Sequence, residues 1–278
     1  MEDLTKRAWE IFRQVQEKRP LVQFITNFVT ANDCANIILA AGGSPPMAHD
    51  IREAAEAAAA ASALVCNLGA IGDTDAMEAA GKAANLLGIP VVFDPVAAGG
   101  TSLRRAEAAR LMRAVHFSVI RGNASEIRFL AGEQSSGSGV DAGMFDEITE
   151  ENLSAAIGIV KGLAEKTGSV IAVSGRLDLI SDSRRTAVLR NGSPVMARIT
   201  GSGCMLTALT GAFCGACQKD CFTAAFAASA VMGVCGELAD AKRLERGTGN
   251  ASFRNDLIDA VFTLTEKQFR EEINYEIF

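Results

Sequence analysis

A glycine–serine–glycine turn between two apolar stretches is the first candidate for chemistry in this sequence. The turn consists of Gly201, Ser202 and Gly203, and it follows residues 195–199, which we expect to form a strand. Small residues allow successive backbone N–H groups to face one point, where the positive end of the following helix adds its charge. This pattern predicts an anion site that suits a phosphoryl group. Cys204 would face the bound group; the alternative is a glycine-rich turn followed by a buried cysteine.

Polar side chains also follow five other short apolar runs, whose composition is typical of strands buried on both faces. The runs are residues 21–25, 63–66, 90–93, 117–120 and 170–173. The polar residues at or just after their ends include Asn27, Asn67, Asp94, Arg121 and Ser174. Because ligands bind outside the carboxyl ends of parallel strands, we expect these side chains to meet at one edge of a sheet.

Two acidic residues and one arginine at or near these strand ends indicate phosphoryl transfer. Glu126, in the first turn after a strand, and Asp94, at a strand end, suit a hydrated Mg²⁺, which prefers one or two carboxylates plus water and substrate phosphates. Arg121 at a strand end could pair with phosphate. Each residue also has a structural alternative. Glu126 could be an exposed acid that favours a helix start, Asp94 could belong to an Asp-Pro turn, and Arg121 could pair with a surface acid. Together with the glycine turn they favour phosphoryl transfer.

The order of the elements predicts an α/β fold. Helical segments alternate with the apolar runs, which indicates βαβ units in a mostly parallel sheet with helices on both faces. Runs at residues 177–180, 186–189 and 195–199 predict an antiparallel edge, and the chain beyond residue 204 is expected to be helical over 204–217, 222–243 and 252–270. Residues 49–62 are among the predicted helices, and residues 133–149 are predicted to form a surface loop. We expect one domain over residues 1–278.

Composition excludes several classes of function. The net charge of −6 argues against a nucleic-acid or anionic-membrane partner, and no apolar stretch of membrane-spanning length is free of glycine and polar residues. We therefore expect a soluble, cytoplasmic protein. Seven dispersed cysteines are typical of reduced thiols. The C-x-x-C pattern at residues 214–217 lies in an apolar, helical run and has no second copy, so we expect these cysteines to pack in the core and not to bind zinc.

The sequence motifs of two common classes of nucleotide-dependent enzyme are weak or absent. Residues 137–142 match G-x-G-x-x-A, but no predicted strand precedes them, so a dinucleotide-dependent dehydrogenase is disfavoured. No G-x-x-x-x-G-K-[ST] sequence is present, which argues against a P-loop enzyme. A small-molecule binding protein of the same fold remains an alternative, which the acids Asp94 and Glu126 disfavour.

Five segments in order resemble the hydroxyethylthiazole kinase family of the ribokinase-like superfamily. They are Thr26-Asn27-Phe28-Val29, Pro46-Met47-Ala48, residues 93–99, residues 121–127 and residues 200–207. The resemblance runs from about residue 20 to 255 and includes residues 247–253. It implies a three-layer ribokinase-like fold and ATP- and Mg²⁺-dependent phosphorylation of 4-methyl-5-(2-hydroxyethyl)thiazole in thiamin biosynthesis or salvage. It also implies a homotrimer with the thiazole site near a subunit boundary.

The resemblance assigns a role to each candidate residue. Gly201, Ser202 and Gly203 would form the anion hole, while Cys204 would stand where related kinases carry an aspartate general base. Arg121 and Ser174 would contact the nucleotide, Asp94 and Glu126 would lie near the metal and phosphates, and Asn27, Met47 and Gly201 would border the thiazole. A helix start lowers the pKa of the Cys204 thiol and a phosphate raises it, so we expect partial ionisation.

Departures from the family pattern concern substrate preference more than reaction type. Ala70 and Ser174 replace the usual threonines, and an extra proline precedes Met47. The alternative enzyme within this fold is a kinase for another heteroaromatic or sugar alcohol, such as a hydroxymethylpyrimidine.

Overall fold

A single mixed sheet organises the computed structural model, which describes residues 3–132 and 147–278. Its strands in the described residues are β1 Val22–Ile25, β2 Ala63–Asn67, β3 Val91–Asp94, β4 Val119–Asn123, β5 Val170–Ser174, β6 Asp178–Ser181, β7 Thr186–Leu189 and β8 Tyr275–Ile277. The strands lie in sequence order across the sheet. The strands β1 to β5 pair in parallel, and β5 to β8 pair antiparallel, which confirms the predicted mixed sheet.

Eleven α-helices accompany the sheet in the described residues. They are α1 Leu4–Lys18, α2 Ala31–Ala41, α3 Ala54–Ala59, α4 Thr74–Leu86, α5 Ser102–Ala114, α6 Ala124–Ala131, α7 Leu153–Thr167, α8 Ser202–Ala216, α9 Cys221–Arg246, α10 Asn250–Thr263 and α11 Glu266–Glu272.

The helices form one layer on each face of the sheet. One buried apolar cluster contains side chains of α1, α2, α8, α9 and α10, and the other contains side chains of α3 to α7. Adjacent residues of a strand enter opposite clusters, as Phe24 and Ile25 of β1 do, because side chains alternate across a pleated strand. This is the three-layer α/β architecture that the sequence predicts.

The prediction of a strand at residues 195–199 is wrong. Pro194–Arg198 forms a 3₁₀ helix, because Pro194 lacks an N–H group for a strand ladder and the Ser193 hydroxyl accepts a hydrogen bond from the Val195 N–H at 3.1 Å. The third antiparallel strand is instead β8, which the sequence prediction missed.

Two predicted helices have different bounds in the structure. The segment at residues 49–62 is helical only over Ala54–Ala59, since the Asp50 carboxylate accepts the Arg52 N–H at 2.9 Å and holds a turn. The segment at 252–270 is divided into α10 and α11, because the Thr265 and Gln268 side chains form a capping box that starts a new helix. Of the predicted loop, residues 133–146 lie outside the described residues, as does the G-x-G-x-x-A pattern.

One helix in the described residues, Cys221–Arg246, is long and apolar enough to cross a membrane by those two criteria. In its most apolar window, 83% of the residues are buried inside the protein, between α1, α8, α10 and the sheet. Its composition is accordingly that of the central helix of a protein core.

Candidate active site

The N-terminus of α8 lies over the carboxyl ends of the parallel strands. Gly201 precedes it in the left-handed conformation, with φ of 83°, and a Cβ atom there would lie 2.6 Å from Thr30 Cγ2. A Cβ atom on Gly203 would lie 2.7 Å from Arg121 Nη1. Among the described residues no side chain caps the helix at Gly201, so its first N–H groups remain available to an anion.

Asp94 lies fully inside this edge of the sheet, at the end of β3. Its Oδ2 accepts hydrogen bonds from Thr207 Oγ1 at 2.7 Å and Asn67 Nδ2 at 3.0 Å, whereas its buried Oδ1 has no partner in the described residues. Burial raises the pKa of Asp94 to about 6; Arg121 opposes this shift and Glu126 adds to it. The carboxylate is therefore mainly ionised at pH 7 and has one oxygen free for a ligand.

Arg121 is a buried cation between Asp94 and the glycine turn. Its Nη2 donates a hydrogen bond to Ser174 Oγ, and its Nη1 lies 3.9 Å from Asp94 Oδ2. Its Nε is buried without a partner in the described part of the chain. The structure thus brings together Arg121, Ser174 and Gly203, in an arrangement able to hold a phosphate chain against the N-terminus of α8.

Glu126 has a structural role in addition to the one expected from sequence. It forms a capping box with Asn123: its Oε2 accepts the Asn123 N–H at 2.8 Å, and Asn123 Oδ1 accepts the Glu126 N–H at 2.9 Å. Its Oε1 accepts the Ala97 N–H at 2.9 Å. The carboxylate is therefore fixed near Asp94 by backbone donors.

The donor set at Asp94 and Glu126 fits a weakly held cation. Among residues 3–132 and 147–278 no group of three or more His, Cys, Asp or Glu side chains is placed to hold a metal ion. The unpartnered Asp94 Oδ1 can supply one oxygen. Such a site suits Mg²⁺ that takes its other ligands from water and substrate phosphates.

Cys204, in the first turn of α8, accepts hydrogen bonds at its sulfur. The donors are Asn67 Nδ2 at 3.3 Å and Asn27 Nδ2 at 3.8 Å. Burial raises the pKa of the thiol, and the nearby charge of Asp94 raises it further. The raised pKa favours the thiol over the thiolate in the ligand-free protein; burial and the charge of Asp94 were not among the influences weighed from the sequence.

The residues expected at the thiazole lie at the end of β1. Asn27 Oδ1 accepts hydrogen bonds from Thr30 N at 3.1 Å and Thr30 Oγ1 at 3.2 Å, which directs its amide nitrogen toward Cys204. Met47 is partly buried against the helix layer that contains α2 and α8, and the Pro46 carbonyl accepts the Phe24 N–H at 3.0 Å. Asn27 thus faces the sulfur, and the chain around Met47 runs beside the same strand.

A cavity of about 590 Å³ extends from the glycine turn toward the antiparallel edge of the sheet. Its lining includes Arg121, Ser174, Ser202 and Gly203 at one end and Asp178 and Arg190 further along. Its volume lies within the range usual for small-molecule sites. Burial raises the pKa of Asp178 to about 6, and its Oδ1 accepts the Gly175 N–H at 2.9 Å.

Three residues of this site were not assigned from the sequence: Asn67, Thr207 and Asp178. Asn67 ends a predicted strand, so its position was foreseen but not its contacts. Thr207 lies one helical turn after Gly203, and the i, i+4 spacing would have placed it on the same face of α8. Asp178 begins a hairpin strand and carries no sequence signal for a site.

The chain matches the family model described as the hydroxyethylthiazole kinase family over residues 12–267. It is 44% identical over 271 residues to a hydroxyethylthiazole kinase of Clostridium acetobutylicum, covering 97% of this chain and 99% of that one. It is 45% identical to one from Methanocella arvoryzae, covering 95% of each chain.

Solved structures agree with these sequence relatives. The hydroxyethylthiazole kinase protein of Pyrococcus horikoshii OT3 superposes with a TM-score of 0.85 at 33% identity, covering 98% of this chain and 99% of that one. An ADP complex of Bacillus subtilis pyridoxal kinase, at 17% identity and a TM-score of 0.54 over 77% of this chain and 90% of that one, shares the fold alone. From the family match, the relatives and the ribokinase-like fold together, the chain belongs to the hydroxyethylthiazole kinase family.

Proposed function

We propose that this enzyme transfers the γ-phosphoryl group of ATP to the hydroxyl group of 4-methyl-5-(2-hydroxyethyl)thiazole, in the supply of thiamin. The observation that carries the proposal is the placement of Cys204, Asp94 and Arg121 around the N-terminus of α8, beside a cavity of nucleotide size. Membership of a kinase family supports the use of ATP and of an alcohol acceptor.

The phosphate-binding part consists of cationic and N–H donors. Arg121, fixed by Ser174, would pair with the nucleotide phosphates, and the N–H groups of residues 201–203 would stabilise the charge on the transferred group. Preorganised donors of this kind supply most of the stabilisation in phosphoryl transfer.

Asp94 and Glu126 are the residues that would hold Mg²⁺. When bound, the ion would neutralise phosphate charge. Asp94 would supply its unpartnered Oδ1, and Glu126 would act from its backbone-fixed position, directly or through water.

Cys204 is proposed to accept the proton of the substrate hydroxyl. Its sulfur already accepts hydrogen bonds from Asn27 and Asn67, and such donors stabilise a thiolate more than a thiol. Because its pKa is raised, the thiolate is a minor form in the free enzyme, and we expect the base to contribute modestly. Asn27, Met47 and the Gly201 backbone would border the thiazole ring.

We further propose a homotrimer with this site near the subunit boundary, without nucleic-acid or membrane partners. Phe28 and Val29, which follow Asn27, are 93% and 57% exposed. Large apolar side chains this exposed beside a site are typical of a contact surface. Light scattering should give about three times the chain mass of 29.2 kDa, and Phe28→Asp should lower both mass and activity. A fully active monomer would contradict the trimer.

A reducing, cytoplasmic location is proposed on the state of the cysteines. All seven are free thiols in the structure, which is the state that the cytosol maintains.

A coupled ADP-release assay tests the proposed activity. ATP and Mg²⁺ are held constant while the thiazole alcohol, a hydroxymethylpyrimidine, pyridoxal and ribose are compared as acceptors. We expect the highest kcat/KM for the thiazole alcohol. Greater turnover of another acceptor would replace the substrate assignment, and ADP release from none would contradict the activity.

A further inference from the structure

We propose that Asn67 is a positioning residue for phosphoryl transfer, because its single side-chain amide holds the Cys204 sulfur and the Asp94 carboxylate together. The inference rests on the proposed role of Cys204 as the proton acceptor. It assigns a role to Asn67 of β2, which acts through Asp94 of β3 and Cys204 of α8.

The donor side of the amide is fully used. Asn67 is completely buried at the end of β2, where it is in register with Asp94 of β3. Its Nδ2 lies 3.0 Å from Asp94 Oδ2 and 3.3 Å from Cys204 Sγ. An amide nitrogen carries two hydrogens, so one is available for each acceptor.

The acceptor side fixes which way the amide points. Asn67 Oδ1 accepts the Gly69 N–H at 2.8 Å and lies 3.5 Å from Asn27 Nδ2. Rotating the amide by half a turn would put its oxygen against the Asp94 carboxylate and its NH₂ group against the Gly69 N–H. Both contacts would be repulsive, so a single orientation is stable.

This orientation joins the sheet to the first turn of α8. Cys204 lies on the helix that begins at the glycine turn, whereas Asp94 and Asn67 lie on adjacent parallel strands. The amide therefore sets the distance between the proton acceptor and the acid on the phosphate side. It also directs an N–H group at the sulfur, which favours the thiolate that must be present before the substrate proton is accepted.

Thr207 provides a matched control on the same carboxylate. Its hydroxyl is 2.7 Å from Asp94 Oδ2 and 3.2 Å from the Gly203 carbonyl oxygen. Thr207→Val thus removes one hydrogen bond to Asp94 while leaving the Asn67–Cys204 contact in place. A difference between the Asn67 and Thr207 variants isolates the effect transmitted through the sulfur.

The test is a pair of double-mutant cycles, Asn67→Ala with Cys204→Ala and Thr207→Val with Cys204→Ala. In the wild-type background we expect Asn67→Ala to lower kcat by about tenfold, with each KM changed by less than about threefold. With Cys204 already replaced, the same substitution should cost at least about threefold less, since contacting residues are coupled. Thr207→Val should cost the same factor in both backgrounds.

Asn67→Leu covers the case in which the alanine variant fails to fold. It keeps about the volume of the side chain and adds no charge beside Asp94, but it removes the amide donors, and the same cycle is then run with it. Equal losses with and without Cys204 would overturn the inference while leaving the base role standing. A wild-type rate for Cys204→Ala would instead remove the base role, and the inference with it.

Discussion

Replacing Asp94 by asparagine should stabilise the ligand-free protein while impairing catalysis. The carboxylate is 1% exposed and its pKa is raised from 3.8 to about 6, mainly by burial. A shift of about two pKa units, at about 1.4 kcal/mol per unit, makes the native state with ionised Asp94 about 3 kcal/mol less stable than it would be with an unshifted pKa. Asparagine can keep an oxygen toward Asn67 and Thr207, and its nitrogen would occupy the place of the unpartnered Oδ1.

The sign of the pH dependence follows from proton binding. Between pH 3.8 and about 6 the folded protein binds the Asp94 proton more tightly than the unfolded chain, so wild-type stability falls as pH rises through this window. The advantage of Asp94→Asn should therefore be full above about pH 6 and disappear below about pH 4. The shift already includes the attraction to Arg121. Allowing for the asparagine NH₂ group, which would be buried without an acceptor, we expect about 1–3 kcal/mol, or a rise in Tm of several degrees.

Thermal unfolding in EDTA at pH 5 and pH 8 measures this difference, with Asp240→Asn as the control of opposite sign. The pKa of Asp240 is lowered by hydrogen bonds from Ser193 and Arg243, so its replacement should destabilise the protein at pH 8. In a separate measurement without EDTA, ATP with Mg²⁺ should raise the Tm of the wild type more than that of Asp94→Asn. The reasoning would be refuted if Asp94→Asn were less stable than the wild type at pH 8, or if its gain in Tm were the same at pH 5 and pH 8.

Three further outcomes are expected. Cys204→Ala should lose at least about tenfold in kcat, whereas Cys204→Asp, ionised at pH 7, should retain activity; folded Cys204→Ala within about threefold of wild type would make the cysteine structural. Glu126→Gln should lower turnover, with partial recovery at high Mg²⁺, and should also lower Tm slightly because one carboxylate oxygen of the capping box is replaced; unchanged turnover and Mg²⁺ dependence would make this acid structural only. Gly203→Ala should raise KM for ATP because its Cβ atom would displace Arg121, unlike Gly162→Ala, whose Cβ atom would meet open space on α7; equal KM values for both would contradict this.

The parallel half of the sheet and its polar edge were predictable from the sequence for one physical reason. Strands covered by helices on both faces are continuously apolar, so a polar residue such as Asn67 or Asp94 marks the end of each one. The glycine turn was equally visible, since the left-handed Gly201 and the close approach of Gly203 to Arg121 leave no room for larger residues.

What the sequence did not reveal depends on tertiary contacts. Residues 195–199 have a strand-like composition, but Pro194 and Ser193 determine a 3₁₀ helix locally. Contacts made from one element to the next, such as Asn67 with Cys204, join residues 137 positions apart and leave no periodic pattern. The raised pKa of Cys204 likewise arises from burial that forms only when α8 packs on the sheet.

The three-residue strand β8 covers the edge of the sheet that β7 would otherwise expose. Every residue of β7 is buried, so its bare edge would present an apolar row of unpaired backbone groups. Residues 275–277 cover that edge, and the chain beyond them seals its far end: Thr186 N and Phe278 O, and Phe278 N and Thr186 O, are each 2.8 Å apart. Glu276 then places a charge on the strand that is left outermost, where Arg190 lies 3.3 Å away. We therefore expect a variant that lacks residues 275–278 to expose the edge of β7 and to aggregate more readily than the full chain.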